Sequence, residues 1–269
     1  EYYSYYGQLM VGYNAGSFDP KGIGDVQAKA DSLYTEAIAS LLTSGQTDNV
    51  TGMLANPTFA NNSASGWSGT GATGVKDGML EMYDKNYDFY QEFTGMPAGT
   101  YEMTLQGFHR PSNNANCQTA WGVEGDPYYE VEAYAYINDG LAELNHCYDH
   151  VTDTVVNGND IALVVGDESI SGKYAVNNIT SASMVLAHGD YPVTVKGYVG
   201  RDGILRVGVK LDNKQTQCWS AFGHFEIKYL GAADMSGANS TLNELIGLAK
   251  TLADGDTLAT ADTRKALND

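Results

Sequence analysis

The sequence predicts an all-β protein: an antiparallel β-sandwich flanked by short helical linker segments. Three observations predict it. Between about Met53 and Gly231, runs of alternating apolar and polar residues are separated by Gly, Asn and Asp turns. Helical periodicity is concentrated near the two ends and in one short stretch between strands. The composition, 19 Tyr and 31 Gly beside 6 Pro, suits strands joined by tight turns. Three segments follow: a helical linker or partial upstream element at 1–50, the sandwich at 51–231, and a helical linker or partial downstream element at 232–269.

The elements can be taken in order. Residues 1–22 carry four tyrosines in the first six positions and then a turn-rich exit. They look like the tail of an element that begins upstream. Val26, Ala30, Leu33, Ala37, Ile38, Leu41 and Leu42 then recur at three- and four-residue steps, an amphipathic helix that Gly45 stops. Strands are expected in GMLEMYD, YDFYQEFTG, GTYEMTLQGFHR, VEAYAYIND, YPVTVKGYVG, GILRVGVKLD and SAFGHFEIKYLG. In the sixth run Leu205, Val207, Val209 and Leu211 point one way and Arg206, Gly208, Lys210 and Asp212 the other, so one face is buried and one is wet. GRDG at 200–203 is a hairpin turn. NNITSASMVLAHG reads as a short helix, and PSNNANCQTAWGVEGDPYY as a long loop. After the sandwich, Leu242, Leu245, Ile246, Ala249 and Leu252 share a helix face behind a capping-box pattern.

Charge sets the class of partner. The chain carries 15 Lys+Arg and 33 Asp+Glu, a formal net charge of −18. That opposes phosphate backbones and anionic bilayers, so neither a nucleic-acid partner nor polybasic anchoring is expected. No run approaches the ~20 apolar residues of a spanning helix, and no membrane insertion is expected. An acidic, weakly charged, tyrosine-rich chain suits sugars, whose rings offer apolar faces and hydroxyl edges. Cys117, Cys147 and Cys218 show no zinc spacing. A Cys117–Cys147 bridge and three idle thiols are both open readings.

Four stretches carry a resemblance: NPTFANNSASGWSGT (56–70), YDFYQEFTGMPAGTYEMTLQGFHRP (87–111), DGILRVGVKL (202–211) and CWSAFGHFEIKYLG (218–231). In this order they resemble the galactose-binding-like jelly-roll modules appended to secreted polysaccharide-degrading enzymes and surface proteins of gut and rumen Bacteroidetes. The match covers about two-thirds of the chain and is mostly framework. Met96 stands where such modules usually have Leu, His109 where they have Tyr, and Gly223-His224 where they have Asp-Asn. The last change puts any role of that polar pair in doubt. The resemblance implies a jelly-roll β-sandwich that binds a polysaccharide or oligosaccharide without catalysis, in a secreted or cell-surface protein with adjacent modules. It implies no required cofactor. It allows one structural calcium, held by carbonyls around Asn56–Phe59 with Glu226.

Candidate ligand-binding residues are the polar and aromatic groups that the core does not need. Trp121, Tyr128 and Tyr129 lie in the long 111–130 loop, where binding residues concentrate. Trp121 has two open roles, stacking on a pyranose face or packing beneath its own loop. Arg110 and His109 end the strand that feeds the loop. Arg110 suits a bidentate contact to hydroxyls or a uronate, or an ion pair holding the loop. Asn114 is a hydroxyl partner, and Trp219 opens the closing strand near the rim. The expected site is where the loop meets these strand ends, with the Tyr134/Tyr136 sheet face as its alternative. Trp67, Phe225 and Ile227 read as core, and Gln91 needs an internal partner if its strand face is buried.

Catalytic and metal patterns are weak. No G-x-S-x-G elbow, P-loop or H-E-x-x-H is present. His146 and His150, four apart, are the one pair with helical metal-ligand spacing. The alternatives to sugar binding are a spacer or adhesion module and a small carbohydrate-active esterase or lyase.

Overall fold

The computed structural model describes residues 20–150, 161–163, 173–232 and 246. The chain divides into two compact units, Glu1–Gly231 and Ala232–Asp269. Of the helices expected after residue 232 only Ile246, which is helical, is described; the rest of them and the tyrosine-rich first 19 residues lie outside the described residues.

The first unit is an antiparallel jelly-roll sandwich. One sheet has five strands in the order β1 (Ser68–Gly69), β4 (Tyr87–Phe93), β12 (Leu205–Leu211), β6 (Ala133–Ile137), β7 (Gly140–Glu143). The facing sheet runs β11 (Pro192–Val199), β5 (Gly99–Arg110), β13 (Trp219–Gly231), β3 (Met79–Tyr83), β2 (Gly74–Lys76). The short β8 (Asn145–His146) joins β5 in parallel, and β9 (Ile161–Leu163) pairs with β10 (Lys173–Ala175) separately. All seven expected strands are present; Leu205, Val207, Val209 and Leu211 are buried as read from sequence, though Gly208 between them is buried too, and β11 alternates throughout. Helices are α1 (Pro20–Thr43), α2 (Asn114–Ala120) and α3 (Ile179–His188).

Phe89, Val207, Val209, Ala135 and Ile137 of the first sheet and Tyr101, Met103, Leu105, Phe222 and Phe225 of the second belong to one buried cluster. Each fully buried large side chain contributes about 1.5–3 kcal/mol. Trp67 is the plug expected: it stacks on Phe89 (4.9 Å, 9°), lies 4.7 Å from Phe225, and donates Nε1–H to the Asn56 carbonyl. Gln91 also meets its requirement. Its Oε1 accepts from Ala55 N and its Nε2 donates to Ala55 O, both at 2.9 Å, so one buried amide fastens the loop before β1 to β4. Helix α1 buries Leu42 in the same cluster, and the chain after it is tied to β13 by Tyr229 N to Asp48 O (2.7 Å) and Val50 N to Ile227 O (3.0 Å).

The Gly223-His224 departure falls at a register shift in β13, between Gly223 and Glu226. His224 takes φ 56° there, and burial lowers its pKa. The loop at 111–130 is a correction: residues 114–120 form α2, capped by Asn113 Oδ1 accepting from Asn116 N. Asn and Ala at these positions concealed a helix too short to show periodicity. His146 lies in β8 and not on a helix, so the His146/His150 spacing carries no metal-ligand geometry. All three cysteines are buried and free.

Candidate functional site

The residues singled out at the rim do come together. Arg110 ends β5, and its guanidinium lies 5.4 Å over the Trp219 ring. Trp219 and Arg110 face each other in the β13–β5 register. Asn114, from α2, accepts from Arg110 Nη1 (2.8 Å) and donates to Asn177 Oδ1 (2.8 Å). Trp121 packs at 4.7, 5.4 and 5.5 Å from the rings of His146, Tyr148 and Tyr129. Tyr128 is half-buried in the same segment, its N–H held by Asp126 Oδ1.

What they do together is mostly internal. The sequence leads one to expect a ligand or a carboxylate on Arg110; among the described residues its guanidinium bonds to carbonyl and amide oxygens rather than to a carboxylate. Its donors go to the Ser112 carbonyl (2.8 Å), Asn114 Oδ1, Asn177 Oδ1 (2.9 Å) and, at 3.4 Å, the Gln217 carbonyl. The cation therefore gathers three chain segments. His109 is 2 % exposed and Ser220 0 %. Tyr87 OH donates to Ser220 Oγ (2.8 Å), which lies 2.7 Å from His109 Nδ1. A hydroxyl and an imidazole at this distance resemble a nucleophile and its base. Here both are sealed inside the sandwich, and burial pushes the His109 pKa down to about 3. Trp219, 4 % exposed, donates Nε1–H to Glu81 Oε2 at 2.9 Å. A cavity of about 370 Å³ does open beside Arg110 and Trp219, lined also by Glu81, Tyr83, Asn177 and Asn178.

A second constellation lies on the outward face of the five-stranded sheet. The same alternation that buries Phe89, Val207 and Ala135 turns Asp88, Tyr90, Glu92, Arg206, Lys210 and Tyr134 outward. Register places Tyr90 opposite Gly208 and Gly208 opposite Tyr136. A Cβ on Gly208 would lie 2.9 Å from the Tyr136 ring and would collide with the Phe89 carbonyl. Glycine is needed so that Tyr136 can lie flat across β12. Tyr136 OH then donates to Asp88 Oδ1 (2.6 Å) and accepts from Arg206 Nε (3.2 Å), while Arg206 Nη2 reaches Asp88 Oδ2 (2.6 Å). The guanidinium sits 3.5 Å over the Tyr90 ring. Burial and the Asp88 carboxylate both raise the Tyr136 pKa, so its hydroxyl stays neutral.

This network forms the wall of a cavity of about 770 Å³. Its lining includes Asp88, Glu92, Asp139 and Asp202 against Arg201, Arg206 and Lys210. Tyr198 of β11 stands at its edge, 47 % exposed. Asn138, in the left-handed conformation (φ 48°), fixes that edge. Its Nδ2 donates to the Tyr198 and Ile204 carbonyls (both 2.8 Å) and its Oδ1 accepts from Arg206 N. Fixed donors and acceptors beside an exposed ring are what a hydroxyl-rich ligand requires. Tyr198 and Tyr83, the two exposed tyrosines at the two cavities, were legible only as outward positions of their strands.

For calcium, the Asn56 carbonyl accepts from Phe59 N and Trp67 Nε1, and the Pro57 carbonyl from Phe225 N. Among the described residues no three His, Cys, Asp or Glu gather to hold a metal. No described helix is long and apolar enough to cross a membrane.

No protein-family model matches the chain, and no curated protein matches it. Among solved structures, the chain is similar to the carbohydrate-binding module TmCBM61 in complex with β-1,4-galactotriose, at 12 % identity over 65 % of this chain and 97 % of that one, TM-score 0.30. It is similar to a CBM4 structure at 12 % identity over 65 % and 99 %, TM-score 0.29. A β-glucosidase from Kluyveromyces marxianus in complex with glucose matches at 12 % identity over 66 % of this chain and 14 % of that one, TM-score 0.20. These likenesses are too distant to assign a ligand, and the functional reading rests on the site.

Proposed function

We propose that this chain is a non-catalytic carbohydrate-binding module whose ligand lies on the outward face of the five-stranded sheet. The observation that carries the reading is the prearranged Asp88–Tyr136–Arg206 network, its guanidinium seated on the Tyr90 ring, walling an open cavity that the exposed Tyr198 ring borders. The ring offers a face for sugar C–H groups, and the carboxylates and guanidinium meet vicinal hydroxyls. Such a site is shallow and few-anchored, so affinity falls in the ~micromolar-to-millimolar range. Its use is effective concentration: in a secreted or surface protein of several modules, a tethered binder holds its neighbours on a polymer.

Affinity gels with neutral and acidic polysaccharides, followed by calorimetry on Tyr198→Ala, test this. A lost platform should weaken binding by ~1–3 kcal/mol, by analogy with base stacking, at an unchanged melting temperature. Retention equal to wild type would remove the ring from the site. Release of reducing sugar or acyl groups by the purified chain, abolished by a Glu92→Gln or Asp88→Asn change, would show an enzyme.

A further inference from the structure

The 770 Å³ cavity does not end at the sheet. A second cavity, of about 600 Å³, lies between α1 and the edge of the same sheet. Its lining comprises Tyr34 and Thr35 of α1, Ser68 of the edge strand, and Tyr90, Glu92 and Phe93 of β4, among others. Glu92 lines both cavities. Tyr90 lines the second and Arg206 the first, and these two stack at 3.5 Å. The cavities therefore adjoin across the Tyr90–Arg206 pair with Glu92 as common wall.

Helix α1 is a fixed part of that wall. Tyr34 OH donates to the Gly52 carbonyl (3.4 Å), Leu42 is buried in the core, and Thr35 lies close enough that a Cβ on Gly95 would sit 3.7 Å from its methyl. From β6 through β12 to β4 the sheet contributes two strand spacings, about 10 Å at ~4.8 Å each, before the edge and the helix are reached. That span accommodates about two sugar rings on the sheet, with room for more beneath α1. Charge narrows the ligand further. Carboxylates outnumber cations in the first cavity, and the second adds Asp31. In a chain of net charge −18, a polyuronate would meet net repulsion from this excess of carboxylates.

We infer that the two cavities are one groove that binds an internal stretch of a linear, uncharged polysaccharide, and that α1, which reads in sequence as a linker, supplies its far subsites. This inference rests on the sheet-face reading proposed above and names its ligand class.

The experiment is calorimetry of the full chain with cello-, manno-, xylo- and galacto-oligosaccharides, each from disaccharide to hexasaccharide, and with oligogalacturonides as the charged ladder. Wild type should gain about tenfold or more in affinity from disaccharide to hexasaccharide on one neutral ladder, a gain of ~1.4 kcal/mol or more. Tyr34→Ala should erase the gain beyond the trisaccharide and leave the shorter ligands unaffected. Ser68→Arg, an exposed edge-strand change that blocks the groove without touching the core, should do the same and guards against a folding defect in the helix variant. A plateau at the disaccharide, or hexasaccharide affinity unchanged in both variants, would overturn the extended groove while leaving sheet-face binding intact. Tighter binding of oligogalacturonides would overturn the uncharged-ligand assignment. Absence of binding to every ladder would overturn this inference together with the reading beneath it.

Discussion

Trp121→Ala separates the two candidate locations for the site. The indole is half-buried and touches three rings, at 4.7, 5.4 and 5.5 Å. His146 makes the contact more than generic packing. Its Nδ1 accepts from Tyr148 N at 3.0 Å, so the neutral ring carries its proton on Nε2. That nitrogen is buried and has no hydrogen-bond partner among the described residues. The rings of Trp121, Tyr148 and Tyr129 surround the imidazole, with centroids 4.7, 5.1 and 6.0 Å from its own. Truncating a fully buried Trp costs ~3–5 kcal/mol; for a half-buried one, about 2 kcal/mol is expected. In a unit of this size that lowers the melting temperature by about 4–8 °C. Thermal denaturation should show this fall, and calorimetry with the best neutral glycan should show unchanged affinity. The opposite pattern, an affinity loss of ~1–3 kcal/mol at constant melting temperature, would refute the packing argument and return the site to residues 111–130.

Other outcomes follow from the same contacts. Gln91→Leu removes both hydrogen bonds to the Ala55 backbone, each worth ~0.5–1.5 kcal/mol net, so urea denaturation should show a loss of about 1–3 kcal/mol; a loss below ~0.5 kcal/mol would mean water replaces the amide. Burial holds His109 and His146 at about 3 in the folded state, against the ordinary histidine value of 6.5 in the unfolded chain. The unfolded chain therefore binds more protons between these values, and stability should fall as pH drops from about 6.5 toward 3, by at most ~1.4 kcal/mol per pH unit for each histidine. Asp149, whose pKa burial raises, offsets part of this at the acid end. His146→Phe should flatten the slope in urea midpoints measured across pH; an unchanged slope would place the proton uptake elsewhere. We also propose the structural calcium near Asn56–Phe59: added calcium should raise, and a chelator lower, the melting temperature, and identical curves would dismiss it.

The sandwich was legible because its signals are local. Period-two alternation in LRVGVKL or YDFYQEF states which residues are buried without reference to any partner strand, and the seven runs found are the long ones. The strands not foreseen, such as Ser68–Gly69, Asn145–His146 and Gly140–Glu143, are two to four residues long and owe their state to the neighbour they pair with. The same distinction explains the site. The rim stands out in sequence because an aromatic in a glycine-rich loop looks unneeded by the fold. Yet Trp121, Arg110 and Trp219 hold α2, β5 and β13 to their neighbours, and that demand arises from tertiary contacts. Arg206 and Lys210 were visible as the wet side of their strand, and a wet strand face is ordinarily just surface. What makes this one different is the coincidence of three strands: Gly208 lets Tyr136 lie flat, Tyr136 orients Asp88, and Asp88 holds Arg206 over Tyr90. Each residue is ordinary in its own run, and only the register of β4, β12 and β6 assembles them. Gly208 is thus the residue on which the wall depends. Gly208→Ala should displace Tyr136, release the Asp88–Arg206 arrangement and reduce glycan affinity together with stability, whereas Arg206→Ala should reduce affinity with a smaller loss of stability, that of its contacts to Asp88, Tyr136 and Tyr90. Wild-type affinity in Gly208→Ala would show that the ligand does not need the wall.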